Sequence, residues 1–120
     1  MSKGIFFKKD MNVKDYKKLV KPRESDIQNE CIAYLESQNY YVQRLNAGGY
    51  KMGNGFVHGV KAGTPDIMAF KQTIYGETDL IFVEVKRPGG TVTQLQKDKM
   101  KELKSYGARC MVAYSLEDLL

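Results

Sequence analysis

At 120 residues, 42% apolar and 28% charged, the chain has the size and composition of one globular domain with a single core. No run approaches the ~20 apolar residues that cross a bilayer, and the patch Ile5-Phe6-Phe7 is too brief for a signal-peptide core, so a cytoplasmic location is expected. Net charge is +5, and of the 19 basic and 14 acidic residues eight and two fall in residues 1–23, which leaves 11 and 12 for a nearly neutral body.

Residues 1–23 therefore read as a basic N-terminal arm, suited to attracting phosphate backbones, or else as a solvated tail. Within it, Tyr16, Leu19 and Val20 have the spacing of a turn or two of helix, and Pro22 suits a first helical turn. The domain proper is expected over residues 24–120. It opens with a helix from about residue 23 to 38, because Ile27, Cys31, Tyr34 and Leu35 fall on one stripe. Glu24 and Gln28 extend that stripe; a competing reading makes Ser25 the N-cap and Gln28 its capping-box partner. Tyr40 to Leu45 reads as a strand, with one of Tyr40 and Tyr41 facing the core. Residues 47–63 are glycine-rich, and Asn54-Gly55 within them signals a hairpin turn. Strands follow over Asp66–Lys71 and Leu80–Lys86, joined by a loop over residues 72–79. The second strand's continuous apolar start suits a sheet centre covered on both faces. Arg87-Pro88-Gly89-Gly90 forces a turn. Thr91 or Thr93 can cap the next helix, which runs to about Tyr106 and ends at Gly107. Ala108–Tyr114 is a last strand, and Ser115 caps a short terminal helix over Leu116–Leu120. The order predicts an α/β fold, a central mixed sheet flanked by helices. Cys31 and Cys110 lie in apolar patterns and are expected as buried free thiols. With one histidine beside them, they exclude an ordinary structural zinc site.

Two motifs carry the chemistry: Gly63-Thr64-Pro65-Asp66, and Glu84-Val85-Lys86 eighteen residues after Asp66. Alternation along a strand puts Glu84 and Lys86 on one face. A short connection makes the two strands antiparallel neighbours, so the start of the first lies beside the end of the second and brings Asp66 to Glu84 and Lys86. Pro65 fits a strand's first residue, where no ladder donor is required. Two adjacent carboxylates repel unless a cation lies between them. Oxygen ligands suit Mg2+ or Mn2+, with the Val85 backbone carbonyl as a further ligand. Such a cation polarises phosphoryl oxygen and acidifies water, and Lys86 can hold that water or stabilise developing charge. The plainer alternative is a Glu84–Lys86 ion pair with Asp66 capping a turn. Gln96, Met100 and Leu103 share helical spacing, so Gln96 faces inward, either towards a phosphate or water or simply towards a backbone group.

Together these residues resemble the PD-(D/E)xK nucleases, and within them the VRR-NUC (virus-type replication-repair nuclease) family. The similarity spans roughly residues 24–120. Glu24-Ser25-Asp26-Ile27-Gln28 resembles the family's first helix, and Arg44-Leu45-Asn46-Ala47-Gly48 its strand and hairpin entry. The two central motifs match, the second extending through Arg87-Pro88-Gly89, and Gln96 falls where a helix glutamine is expected. The resemblance implies a restriction-endonuclease-like fold and divalent-metal-dependent cleavage of DNA. It maps ligand roles onto Asp66 and Glu84, a water-orienting role onto Lys86, and supporting roles onto Glu24 and Gln96, with Asp26 and Glu30 as neighbours of Glu24. Small stand-alone members resemble phage-encoded homodimers that resolve four-way (Holliday) junctions, which would place this chain in a host cytoplasm.

Lys51 and Lys61 can touch phosphates from the hairpin, and Arg87 can clamp one beside the site; Arg44 completes the candidate DNA contacts. His58 reads as an exposed hairpin residue or DNA contact more than as a general base. Lys97, Lys99, Lys101 and Lys104, interleaved with Asp98 and Glu102, read as a solvated helix face. Two other readings stand beside the junction-resolving homodimer: a monomeric nicking or flap-type nuclease, and a DNA-binding module that keeps the fold without cleavage.

Overall fold

The computed structural model describes residues 22–45, 49–53 and 55–120, with the backbone alone for residues 49–52 and 56–58. The expected arm up to residue 21, with its helical turn, lies outside the described residues, as do residues 46–48 and 54. Helix α1 spans Glu24–Ser37 and buries Ile27, Cys31 and Leu35, the stripe its spacing predicts. Its N-cap is Arg23 rather than Ser25. The Asp26 carboxylate three residues on accepts from the Arg23 backbone N–H at 3.3 Å, so Gln28 has no capping role. Pro22 therefore precedes the N-cap.

Strands β1 (Tyr41–Arg44), β4 (Ile67–Gln72), β5 (Thr78–Val85) and β6 (Arg109–Ala113) form one mixed sheet in the order β1-β4-β5-β6. Its first two pairings are antiparallel and β5–β6 is parallel. Helix α2, Gln94–Ser105, makes the crossover between β5 and β6. The strands β2 (Gly49–Met52) and β3 (Gly55–His58) form a separate antiparallel ribbon between β1 and β4. Met52 pairs with Gly55, so the two-residue turn begins at Gly53 with φ +58°, one position before the expected Asn54-Gly55.

Residues 81–85 of β5 are all buried, as a central strand requires. On one face Ile67, Ala69, Ile81, Val83, Val85 and Ala113 pack with Ile27, Cys31 and Leu35 of α1. On the other, Phe82 and Glu84 lie on the α2 side, where Met100 is buried. Cys31 is a buried free thiol, and burial pushes it up to about 11; Cys110 is also free but only half-buried. Tyr40 packs against the core while Tyr41 is exposed. The terminal helix is a 3-10 turn over Leu116–Leu119, and the Ser115 side chain does not cap it. The Asp118 carboxylate instead accepts from the Tyr114 N–H at 2.8 Å. Among the described residues no helix is long and apolar enough to cross a membrane.

At one end of the sheet Asp79 accepts two hydrogen bonds from Arg109, both 3.0 Å, and one of 2.6 Å from the Tyr40 hydroxyl. The cluster ties the start of β5 to the start of β6 and to the α1–β1 corner. Arg109 first, then Tyr40, hold the Asp79 carboxyl below its ordinary value. The folded value being the lower one, the contribution is present above the ordinary range near pH 4 and is lost as pH falls through the folded value. Asp79→Ala is expected to cost about 1 kcal/mol at neutral pH, a difference that chemical denaturation should show shrinking towards pH 3.

Candidate active site

The opposite end of the β4–β5 pair brings the two motifs together. Ile67 faces Val83 in the antiparallel register; carried on, that register sets Asp66 opposite Glu84 and Pro65 opposite Val85. In a ladder, facing residues of this kind exchange both N–H···O bonds. Pro65 has no N–H to give, so the strand offers no donor to the Val85 carbonyl. The Val85 N–H turns instead to the Asp66 side chain, donating to Oδ2 at 2.8 Å. From the other edge the Leu45 N–H donates to the Asp66 carbonyl at 2.7 Å. Asp66 is thus fixed by β1 through its backbone and by β5 through its carboxylate. Lys86 returns to the regular ladder, its N–H donating to the Ala113 carbonyl at 2.9 Å. Proline followed by aspartate opens the end of the sheet and refills one of the vacated bonds with a carboxylate.

Glu84 is 2% exposed. Its Oε2 lies 3.9 Å from the Lys86 ammonium and accepts from Gln96 Nε2 at 3.4 Å. Its Oε1 is buried without a hydrogen-bond partner. Burial pushes the Glu84 carboxyl up to about 8, and the charge of Asp66 adds to that; Lys86 opposes it, and Glu24 on α1 adds a further push. An unpartnered carboxylate oxygen facing a second carboxylate, with a ladder-free carbonyl alongside, is a set of hard oxygen donors of the kind that suits a divalent cation. The residues present fit a divalent metal, with Asp66, Glu84 and the Val85 carbonyl as the donors. Among the described residues, no group of three or more His, Cys, Asp or Glu side chains is arranged to hold a metal ion, so the set depends on that carbonyl.

Gly63 has φ +84°, and a Cβ there would stand 2.9 Å from both Cγ and the carbonyl oxygen of Leu95, the residue before Gln96. This glycine lets the Asp66 loop touch the first turn of α2. Gly63→Ala is expected to cost roughly 1–3 kcal/mol because one of the two facing atoms is backbone; a lowered thermal midpoint would show it.

The structure thus brings Asp66, Glu84, Val85, Lys86 and Gln96 together, with Glu24 near enough to be felt by Glu84. The candidate DNA contacts sit apart. Lys61 and Arg87 are exposed on loops flanking the two motifs. Arg44 is exposed on β1 and donates to Asn29 of α1. Lys51 and His58 lie on β2 and β3, their side chains outside the described set. Two residues that the sequence named only as a motif residue and as a helix cap also support the site: Gly63, and Thr93, which caps α2 and bonds to Gln96 in both directions. The Thr-x-x-Gln spacing was a readable sign of the second. A hollow of about 650 Å³, lined by Asn39, Tyr41, Phe70 and Ile74 among others, lies at the other end of β4.

A family model described as "VRR-NUC domain" matches residues 23–117. A solved structure described as "VRR_NUC domain" aligns with a TM-score of 0.56 at 22% identity, covering 80% of this chain and 88% of that chain. The likeness shows a shared restriction-endonuclease-like fold. Comparison with curated proteins returns no match.

Proposed function

The chain belongs to the VRR-NUC domain family, a family of nucleases, and from that premise we propose that it is a divalent-metal-dependent DNA endonuclease selective for branched structures, acting as a homodimer on four-way junctions. The observation that carries the metal-dependent part is the buried Glu84 carboxylate, with Oε1 unpartnered, opposite Asp66 at an opened strand end. Mg2+ or Mn2+ held there supplies charge neutralisation at the phosphate and an acidic water. Asp66 and Glu84 hold and orient, and Val85 offers its carbonyl. Lys86, 3.9 Å from Glu84, stands ready to hold a water in line or to meet negative charge growing on the phosphate. Gln96 steadies the Glu84 carboxylate from above. Arg87, Lys61, Lys51, Arg44 and the basic arm of residues 1–23 supply attraction for the backbone.

Homodimerisation rests on a separate feature. Ile74 and Tyr75, 93% and 84% exposed, crown the β4–β5 turn beside the exposed Tyr41–Phe70 pair, whose rings are 5.3 Å apart. Apolar clusters of this kind favour subunit contact, and two sites about a two-fold axis suit paired nicks.

Incubation with four-way-junction, flap and linear DNA, with Mg2+ or with EDTA, tests the reading. Paired symmetric cuts that need the metal are expected. Single nicks from a species that sediments as a monomer favour a nicking or flap enzyme. Binding without cutting under any metal leaves a DNA-binding module.

A further inference from the structure

We propose that Thr93 is a positioning residue for the reaction, setting which end of the Gln96 amide faces the Glu84 carboxylate; this rests on the nuclease reading above. The geometry is a closed loop of three contacts. The Gln96 backbone N–H donates to Thr93 Oγ1 at 3.2 Å. The Thr93 backbone N–H donates to Gln96 Oε1 at 2.9 Å. Gln96 Nε2 donates to Glu84 Oε2 at 3.4 Å. A backbone N–H can only donate, so the atom of the Gln96 side chain that meets it must be the oxygen. The NH2 end is then left facing Glu84 Oε2, which accepts from it. The capping box thus does more than begin a helix: it selects the amide orientation that hydrogen-bonds a metal-ligating carboxylate instead of repelling it.

The Thr93 hydroxyl matters because it holds the first turn that keeps its own N–H and the Gln96 side chain in register. A second observation points the same way. The residue between them and the site loop, Leu95, sits against Gly63 with no room for a Cβ, so this turn is pinned to the segment that carries Asp66. Slack at the cap would therefore reach Gln96.

The test uses the full chain and compares Thr93→Ala, Thr93→Ser and Asp79→Ala. The last weakens the fold at the far end of the sheet and serves as the control for stability alone. Without metal, the two side-chain amide proton signals of Gln96 are followed by NMR. In the parent they are expected to be separated and to move when Glu84→Gln is introduced. Thr93→Ala is expected to bring them towards free-glutamine positions, Thr93→Ser to restore them, and Asp79→Ala to leave them alone. With Mg2+ and junction DNA, Thr93→Ala is expected to slow the cleavage step by about 10–100-fold, the range for residues that orient metal ligands, with KM little changed and Ser restoring the rate. Unchanged Gln96 signals, an unchanged rate, failure of Ser to restore either, or an equal effect of Asp79→Ala would overturn the assignment. If the parent cuts no DNA the nuclease reading itself falls, and the Gln96 signals still decide whether Thr93 sets the amide.

Discussion

Asp66→Asn is expected to lower phosphodiester cleavage by about 10³-fold or more while junction binding stays within a few-fold of the parent. The size follows from the role. A ligand that carries charge stabilisation of ~4 kcal/mol at a phosphoryl centre is worth about three powers of ten in rate. Asparagine keeps the volume and one acceptor oxygen, so it can still take the Val85 N–H that Asp66 Oδ2 takes at 2.8 Å. The strand end is therefore expected to survive, which makes the substitution a test of charge and not of folding. Binding is expected to persist because the groups proposed to attract phosphate, Arg87, Lys61, Lys51, Arg44 and the basic arm, are not touched by the change. Gel-shift assays in EDTA, paired with single-turnover cleavage in Mg2+, separate the two effects. Cleavage at the parent rate would remove Asp66 from the mechanism; joint loss of binding and melting temperature would give it a structural role instead.

The meeting of Asp66 with Glu84 was legible because it depends on rules with little slack. Strand side chains alternate with a period of two, and a short connection forces antiparallel neighbours; the observed register follows. The stripe Ile27, Cys31, Leu35 was legible for the same kind of reason. What was not legible turns on competition between near-equal local choices. Ser25 is the better N-cap by type, yet Arg23 takes the position because Asp26 reaches back to its N–H. Either Gly53-Asn54 or Asn54-Gly55 can make a tight turn, and only pairing across the ribbon decides that Met52 meets Gly55. Ser115 stands at a cap position, but Asp118 bonds the neighbouring N–H. The contact between Gln96 and Glu84, and the close approach of Gly63 to Leu95, depend on how α2 settles on the sheet. No spacing along the chain reports that.

Glu84→Gln is expected to remove a pH dependence of folding that the metal-free chain should display. Burial, reinforced by Asp66, raises the Glu84 carboxyl from an ordinary 4.5 to about 8. Below pH 4.5 the side chain is protonated in both folded and unfolded chains and contributes no pH-dependent term. Between those two values the unfolded chain has released the proton and the folded chain has kept it. Stability then falls with rising pH, and the full loss is reached above the folded value. The shift belongs to the coupled Asp66–Glu84 pair, and the loss it produces is on the order of a few kcal/mol. Denaturant midpoints in EDTA, taken from pH 5 to 9, should therefore decline in the parent and stay nearly flat in Glu84→Gln, because an amide has no proton to lose. Excess Mg2+ or Mn2+ should flatten the parent curve as well, since a cation that binds the ionised pair in the folded state alone adds stability where the charge penalty is greatest. The same linkage makes apparent metal affinity rise towards pH 8 in the parent and lose that rise in the variant. Titration calorimetry at pH 6 and pH 8 would measure it, and a metal affinity indifferent to pH would dissociate the unpartnered Glu84 oxygen from any cation site.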